Sequence, residues 1–219
     1  MEILNRLNIK PNNKNLFETA FTHTSYSNEY PECDNYERLE FLGDAVLEII
    51  ISDYLYNEKY LEEGTMTKMR ASYVCELACA TYADDLGFND YIRLGIGENN
   101  ANETILADVF EAVVGASYLD QGFDFTMNLV KSIIIPYIEK NIDFLHDYKS
   151  ELQELVQTVK KSVIYEVVDE QGPAHSKTFT CIVKVDDLIM GKGVGSSKKS
   201  AEQLAAKEAL SKRVTFEEE

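Results

Sequence analysis

The sequence predicts an all-α domain followed by a small α+β domain of α-β-β-β-α order. Three observations carry that reading. Over the first 140 residues apolar positions recur at helical spacing, and nothing alternates with period two over a useful length. Beyond residue 141, three runs rich in β-branched residues follow one another between two helical segments. The charge divides near the same place. Residues 1–147 hold 10 Lys and Arg against 26 Asp and Glu, a net of −16, whereas residues 148–219 hold 11 against 12, a net of −1.

In the first domain, residues 36–56 form one long apolar-rich helix. Residues 65–86 form a second, with Gly87 as its C-cap, and residues 104–119 a third, ending near Gly122. Residues 123–140 continue as helix with Pro136 as an interruption or kink. Residues 58–64 and 95–103 carry glycine and polar residues and read as loops. The expected boundaries are a first domain over 1–141, a linker over 142–147 and a second domain over 148–219. The second domain opens with an amphipathic helix over 149–160 that has Leu152, Leu155, Val156 and Val159 on one side. Strands follow over 162–169, 177–185 and 188–194, and a closing helix rich in Ala, Lys, Glu and Gln spans 197–212. No internal repeat interrupts this order.

Composition narrows the class. A hydrophobic fraction of 45% with 11% aromatics is ordinary for a globular chain with a core. The start, MEILNRLNIK, lacks the pattern of a signal peptide, and the apolar run at residues 133–135 is far too short to span a bilayer. The expectation is a soluble, cytoplasmic protein with no membrane partner. Cys33, Cys75, Cys79 and Cys181 match no zinc spacing and form no secreted disulfide framework. Cys75 and Cys79, four apart, read as small core residues rather than a metal pair or a disulfide.

Two carboxylate patterns bear on chemistry. Glu37, Glu40, Asp44 and Glu48 follow at steps of three, four and four, one stripe of a helix. Spacing alone leaves open whether that stripe is a solvated face or a ligand set. In residues 105–116 only Asp108 and Glu111 are charged, within an otherwise apolar run. A helix apolar nearly all round is buried, and burying an unpaired carboxylate costs several kcal/mol, on the order of 3–5. Lys and Arg are scarce nearby, so a divalent cation shared with Glu40 and Asp44 is the expected compensation. All-carboxylate ligation selects a hard ion, Mg²⁺ or Mn²⁺. His23, His146 and His175 are scattered and no Glu-x-x-His occurs, which argues against a carboxylate-bridged redox bundle. The pattern points to metal-assisted hydrolysis of a phosphodiester, with no organic cofactor.

Residues 36–47, YERLEFLGDAVL, resemble the signature segment of the bacterial ribonuclease III family. The resemblance extends to residues 22–26, 63–71 and 105–120 and covers almost the whole chain. It implies an all-α endonuclease domain that forms a homodimer, with Glu40, Asp44, Asp108 and Glu111 as metal ligands and Asp44 and Glu111 central to catalysis. Glu37 and Glu63 match further acidic positions of the family's active centre. Phe41, an ordinary core residue by spacing alone, matches an aromatic that enters the partner subunit. Glu48 matches no family role and reads as surface. The implied products carry 5′-phosphate and 3′-hydroxyl ends with short 3′ overhangs, and the implied role is processing of ribosomal, messenger and transfer RNA precursors. One departure stands out. Residues 99–104, which follow Leu94-Gly95-Ile96-Gly97-Glu98, carry no cation, where the family often has basic residues that touch RNA.

The second domain's order, with Lys-Lys-x-Ala-Glu-Gln-x-Ala-Ala-Lys from Lys198, resembles the double-stranded-RNA-binding domain. Such domains read A-form shape through 2′-hydroxyls and phosphates. The resemblance assigns Gln153 and His175 to minor-groove contacts, and Lys198 and Lys199, aided by Lys177, to phosphates, with Ser150 of the first helix among the RNA-binding residues. Taken singly, the two lysines fit a solvated helix start better than a phosphate site, and His175 a plain loop residue. A catalytically silent double-stranded-RNA-binding protein is the alternative reading. The retention of all four acids weighs against it.

Overall fold

Long apolar stripes dictate the first unit. The computed structural model describes residues 1–58, 60–98, 100–145, 147–158, 161–172, 177–195 and 197–212. The chain divides into two compact units, Met1–Leu145 and His146–Glu219. Among the described residues the first unit is helical: α1 (Glu2–Arg6), α2 (Lys14–Ala20), α3 (Thr24–Glu29), α4 (Glu37–Glu58), α5 (Glu63–Tyr73), α6 (Glu76–Asp85), a 3₁₀ turn (Phe88–Tyr91), α7 (Glu103–Gln121) and α8 (Phe123–Glu139). Asn102 opens α7 by accepting the Ile105 N–H, and Gly122 closes it at φ 84°, a left-handed value that suits glycine.

The spine of this unit is α7. It buries Ile105, Leu106, Val109, Phe110, Val113 and Val114, each worth about 1.5–3 kcal/mol of transfer free energy. Its most extensive partner is α4, with α6 on another side. Around them Phe17, Phe21, Tyr82 and Phe88 complete one continuous core.

Two expectations for this unit need correction. Residues 65–86 are not one helix. Val74 leaves the helical region at φ −118°, ψ 8°, and Cys75, extended, becomes the N-cap of α6. The break keeps its groups satisfied, since the Val74 N–H donates to Arg70 O at 3.0 Å and the Cys79 N–H to Cys75 O at 3.0 Å. Pro136 does not interrupt α8, which runs through it to Glu139. Lying in the last turn, it removes one N–H while the end is still closed by the Lys140 N–H donating to Pro136 O at 3.2 Å.

The second unit is α9 (Tyr148–Thr158), β1 (Val163–Gln171), β2 (Thr178–Val185), β3 (Leu188–Gly195) and α10 (Lys198–Ser211). The strands form an antiparallel sheet in the order β1-β2-β3, with Tyr165 opposite Val183 and Val183 opposite Gly191. Leu152 and Val156 of α9, Val183 and Val185 of β2, and Ala205, Ala206 and Ala209 of α10 make its core. Helix and sheet meet closely here: a Cβ at Gly191 would lie 2.1 Å from the Ala205 carbonyl oxygen and one at Gly193 2.2 Å from that of Ala201. No helix among the described residues is long and apolar enough to cross a membrane.

Candidate active site

The site begins with two glycines on facing helices. A Cβ at Gly43 of α4 would lie 1.8 Å from the Glu111 carbonyl oxygen of α7, and one at Gly115 of α7 would lie 2.3 Å from the Leu39 carbonyl oxygen of α4. Only hydrogen atoms at both positions permit this approach. Glu40, about one turn before Gly43, and Asp44, the residue after it, are thereby carried to the side of α7 that bears Asp108 and Glu111.

The electrostatics register the gathering. Burial pushes the Glu111 carboxyl up to about 8, reinforced by Asp44, Glu40 and Asp108. Burial also lifts Glu40 to about 6, with Asp108, Glu37 and Asp44 adding to the effect. Asp108 is raised by burial, opposed by a hydrogen bond from Tyr36. Like charges disfavour each other's ionised forms in this way. Asp108, Glu111 and Glu40 are half-buried and Asp44 is exposed, so the two acids of α7 sit at the edge of the core rather than inside it. Among the described residues no Lys or Arg forms an ion pair with any of the four.

The chemistry of this donor set fits a hard divalent ion, since hard cations take carboxylate oxygens. Among the described residues no three His, Cys, Asp or Glu side chains yet stand close enough to hold one. Holding one would require side-chain rotation within the cluster, whose members are half-buried or exposed.

The other predicted acids are placed differently. Glu37, exposed at the start of α4, accepts a hydrogen bond from Thr24 Oγ1 at 2.8 Å and acts electrostatically on Glu40. Glu63, exposed at the start of α5, accepts from Thr67 Oγ1 at 3.1 Å. It lines an apolar cavity of about 410 Å³ with Ile49, Leu55, Tyr56, Met66 and Arg70, and among the described residues no interaction joins it to the four acids. Phe41 is 82% exposed and is therefore not the ordinary core residue that spacing alone suggests. Ile49 and Tyr56, eight and fifteen residues further along α4, are also exposed and extend the apolar stripe. Glu48 lies on the exposed surface of α4.

Sequence reasoning missed three groups. Gly43 and Gly115 gave no signal, since a glycine inside a helix reads as a cost. Tyr36, just ahead of α4, donates its hydroxyl to Asp108 Oδ2 at 2.9 Å. Glu76 of α6 is a further acid acting on Asp108, with its carboxylate held by Thr104.

In the second unit, Lys149, Ser150, Gln153, Glu154 and Tyr165 line a polar recess of about 360 Å³. Ser150 and Gln153 are exposed, and the Ser150 hydroxyl donates to Asp147 Oδ2 at 2.6 Å. Lys198 and Lys199 stand exposed at the first turn of α10, whose N-cap Ser197 accepts the Ser200 N–H. Lys198 Nζ lies 5.9 Å from the centre of the Phe179 ring. Lys177 is paired with Glu170, which tempers its availability to phosphate. His175 lies outside the described residues.

Comparison with known proteins agrees with this architecture. Residues 13–138 match the family model described as Ribonuclease-III-like, and residues 148–213 match the Double-stranded RNA binding motif. A helical nuclease unit followed by a duplex-RNA reader defines the class, a double-stranded-RNA endoribonuclease. More narrowly, the chain belongs to the ribonuclease III family. Ribonuclease 3 of Onion yellows phytoplasma is 47% identical over 211 residues, which span 94% of this chain and 88% of that one. Ribonuclease 3 of Streptococcus thermophilus is 49% identical over 206 residues, 90% of each chain. Among solved structures, the nuclease domain of ribonuclease III from Campylobacter jejuni aligns with a TM-score of 0.58 at 35% identity, covering 64% of this chain and 96% of that domain.

Proposed function

We propose that this endoribonuclease cleaves double-stranded RNA by divalent-metal catalysis, with Glu40, Asp44, Asp108 and Glu111 holding Mg²⁺, for which Mn²⁺ substitutes. The observation that carries the reading is the Gly43–Gly115 crossing, which collects four carboxylates with no cation of the described chain paired to them. A bound divalent ion would supply Lewis-acid activation of water and of the scissile phosphate. The chain's own part is to orient carboxylate oxygens from two helices toward one point. Asp44, the exposed member, faces incoming RNA, while Glu111 anchors the inner side. Glu37 adds to the field beside Glu40. Glu63 belongs to the same centre only if a second subunit presents it. The products carry 5′-phosphate and 3′-hydroxyl ends with short 3′ overhangs.

The active form is a homodimer. Phe41, Ile49 and Tyr56 leave an apolar stripe on α4 of the kind that marks an interface. The second unit grips the duplex through Ser150, Gln153, Lys198 and Lys199, with Lys177 and His175 as further candidate contacts. The cellular role is maturation of ribosomal, messenger and transfer RNA precursors in the cytoplasm.

Incubation of a long RNA duplex with and without Mg²⁺, followed by sequencing of the fragment ends, tests the reading. Glu111→Gln should lower cleavage by at least about 10³-fold while duplex binding in Ca²⁺ stays within about twofold of wild type. Metal-independent cleavage by the wild-type chain, or a fully active Glu111→Gln variant, would refute it.

A further inference from the structure

Asp108 differs from the other three acids in having a dedicated hydroxyl donor. Tyr36 Oη donates to its Oδ2 at 2.9 Å, and among the described residues this is the hydrogen bond that fixes the carboxylate. The donor is itself held on several sides. Tyr36 is only 3% exposed. Its backbone N–H donates to Thr22 O at 3.0 Å, and its carbonyl accepts the N–H groups of Leu39 at 2.8 Å and Glu40 at 2.9 Å. The first turn of α4 and the phenol are thus one rigid piece.

The His23 ring packs on that phenol, with centroids 5.7 Å apart and planes tilted by 47°. His23 is also immobilised. Its backbone N–H donates to Arg93 O at 3.1 Å, and its Nδ1 accepts the Ser25 N–H at 3.2 Å and lies 2.7 Å from Ser25 Oγ. Ser25 Oγ accepts the Gly95 N–H at 2.9 Å. Accepting a backbone N–H leaves Nδ1 unprotonated, so the neutral ring carries its proton on Nε2. A continuous run of contacts therefore joins the loop at Gly95 to a carboxylate on α7 through Ser25, His23 and Tyr36.

We propose that Tyr36 is a positioning residue for Asp108, buttressed by His23, and that its hydroxyl occupies one carboxylate oxygen so that the other is aimed at the cation. The inference rests on the carboxylates being the metal site. Outer hydrogen bonds to metal ligands of this kind typically govern affinity by about 10- to 100-fold. Among the described residues no other side chain hydrogen-bonds to the Asp108 carboxylate.

The test uses the full chain with Tyr36→Phe, which keeps the ring and removes one oxygen. Mg²⁺ alone is titrated by calorimetry, and Mg²⁺ dependence of duplex cleavage is measured beside thermal unfolding. The expected result is a 10- to 100-fold weaker Mg²⁺ affinity and an equal rise in the Mg²⁺ concentration giving half-maximal rate. The saturating rate should stay within about threefold and Tm within about 2 °C. His23→Asn keeps a side-chain cap on α3 but removes the packed ring, and should weaken Mg²⁺ about threefold. Wild-type Mg²⁺ affinity in both variants, with affinity abolished in Glu111→Gln, overturns the positioning role and leaves the proposed function standing. A lowered Tm with an unshifted Mg²⁺ midpoint assigns Tyr36 to packing and also overturns it. Absence of Mg²⁺ binding to the wild-type chain removes both readings.

Discussion

Gly43→Ala puts the helix crossing to a direct trial. The added methyl carbon would start 1.8 Å from the Glu111 carbonyl oxygen, whereas ordinary contact begins near 3.4 Å. The obstacle is backbone and cannot swing aside, so α4 and α7 must part by about 1.6 Å at that point. Overpacking of this kind costs about 1–3 kcal/mol, occasionally more, and a clash against backbone belongs at the upper end. For a domain of this size that corresponds to a Tm lower by roughly 6–12 °C. The functional effect should exceed what stability explains. A displacement near 1 Å at a catalytic constellation costs on the order of 10²-fold in rate, and here it separates Glu40 and Asp44 from Asp108 and Glu111. Calorimetric unfolding, paired with single-turnover cleavage of a labelled duplex well below the variant's Tm, measures both. Glu48→Gln, on the exposed surface of the same helix, serves as control and should change neither quantity. A Gly43→Ala protein with unaltered Tm and rate would show that the two helices do not meet as described.

Two further expectations concern the second unit. Lys198→Ala combined with Lys199→Ala should flatten the dependence of log affinity on log salt by up to about 2, near 0.9 for each phosphate that is no longer neutralised. An unchanged slope means that neither lysine meets phosphate. Asp147, which caps α9 and accepts from Ser150 and Gln203, is held down to about 2 by those hydrogen bonds. Its unfolded value is near 3.9, so its contribution to stability is present above pH ~4 and lost as pH falls toward 2. Asp147→Asn should therefore flatten the acid limb of the second unit's unfolding curve relative to wild type, and an identical acid limb in both proteins would exclude that role.

Much of this was legible in the residues, for identifiable reasons. Asp108 and Glu111 stood out because charge is conspicuous in an apolar helix. The three strands announced themselves through β-branched runs such as Thr178–Val185. What escaped notice depends on contacts between segments distant in the chain. The role of Gly43 exists only opposite Glu111, and that of Tyr36 only opposite Asp108, seventy-two positions away. The break between α5 and α6 falls at Val74 and Cys75, where neither glycine nor proline marks it. Glu63 matched by motif alone, and the fold places it on a cavity beside Ile49 and Met66.

The glycine-and-alanine seam between β3 and α10 has a mechanical corollary. With main chain lying against main chain at Gly191 and Gly193, α10 has no cushion of long side chains on which to slide or rock. Whatever its first turn displays is therefore held at a set height above the sheet. If Lys198 and Lys199 meet phosphate as proposed, this unit measures the spacing of the duplex like a fixed caliper instead of moulding itself to it. Enlarging Ala201 or Ala205 would then miscalibrate RNA recognition without altering any side chain that touches the nucleic acid.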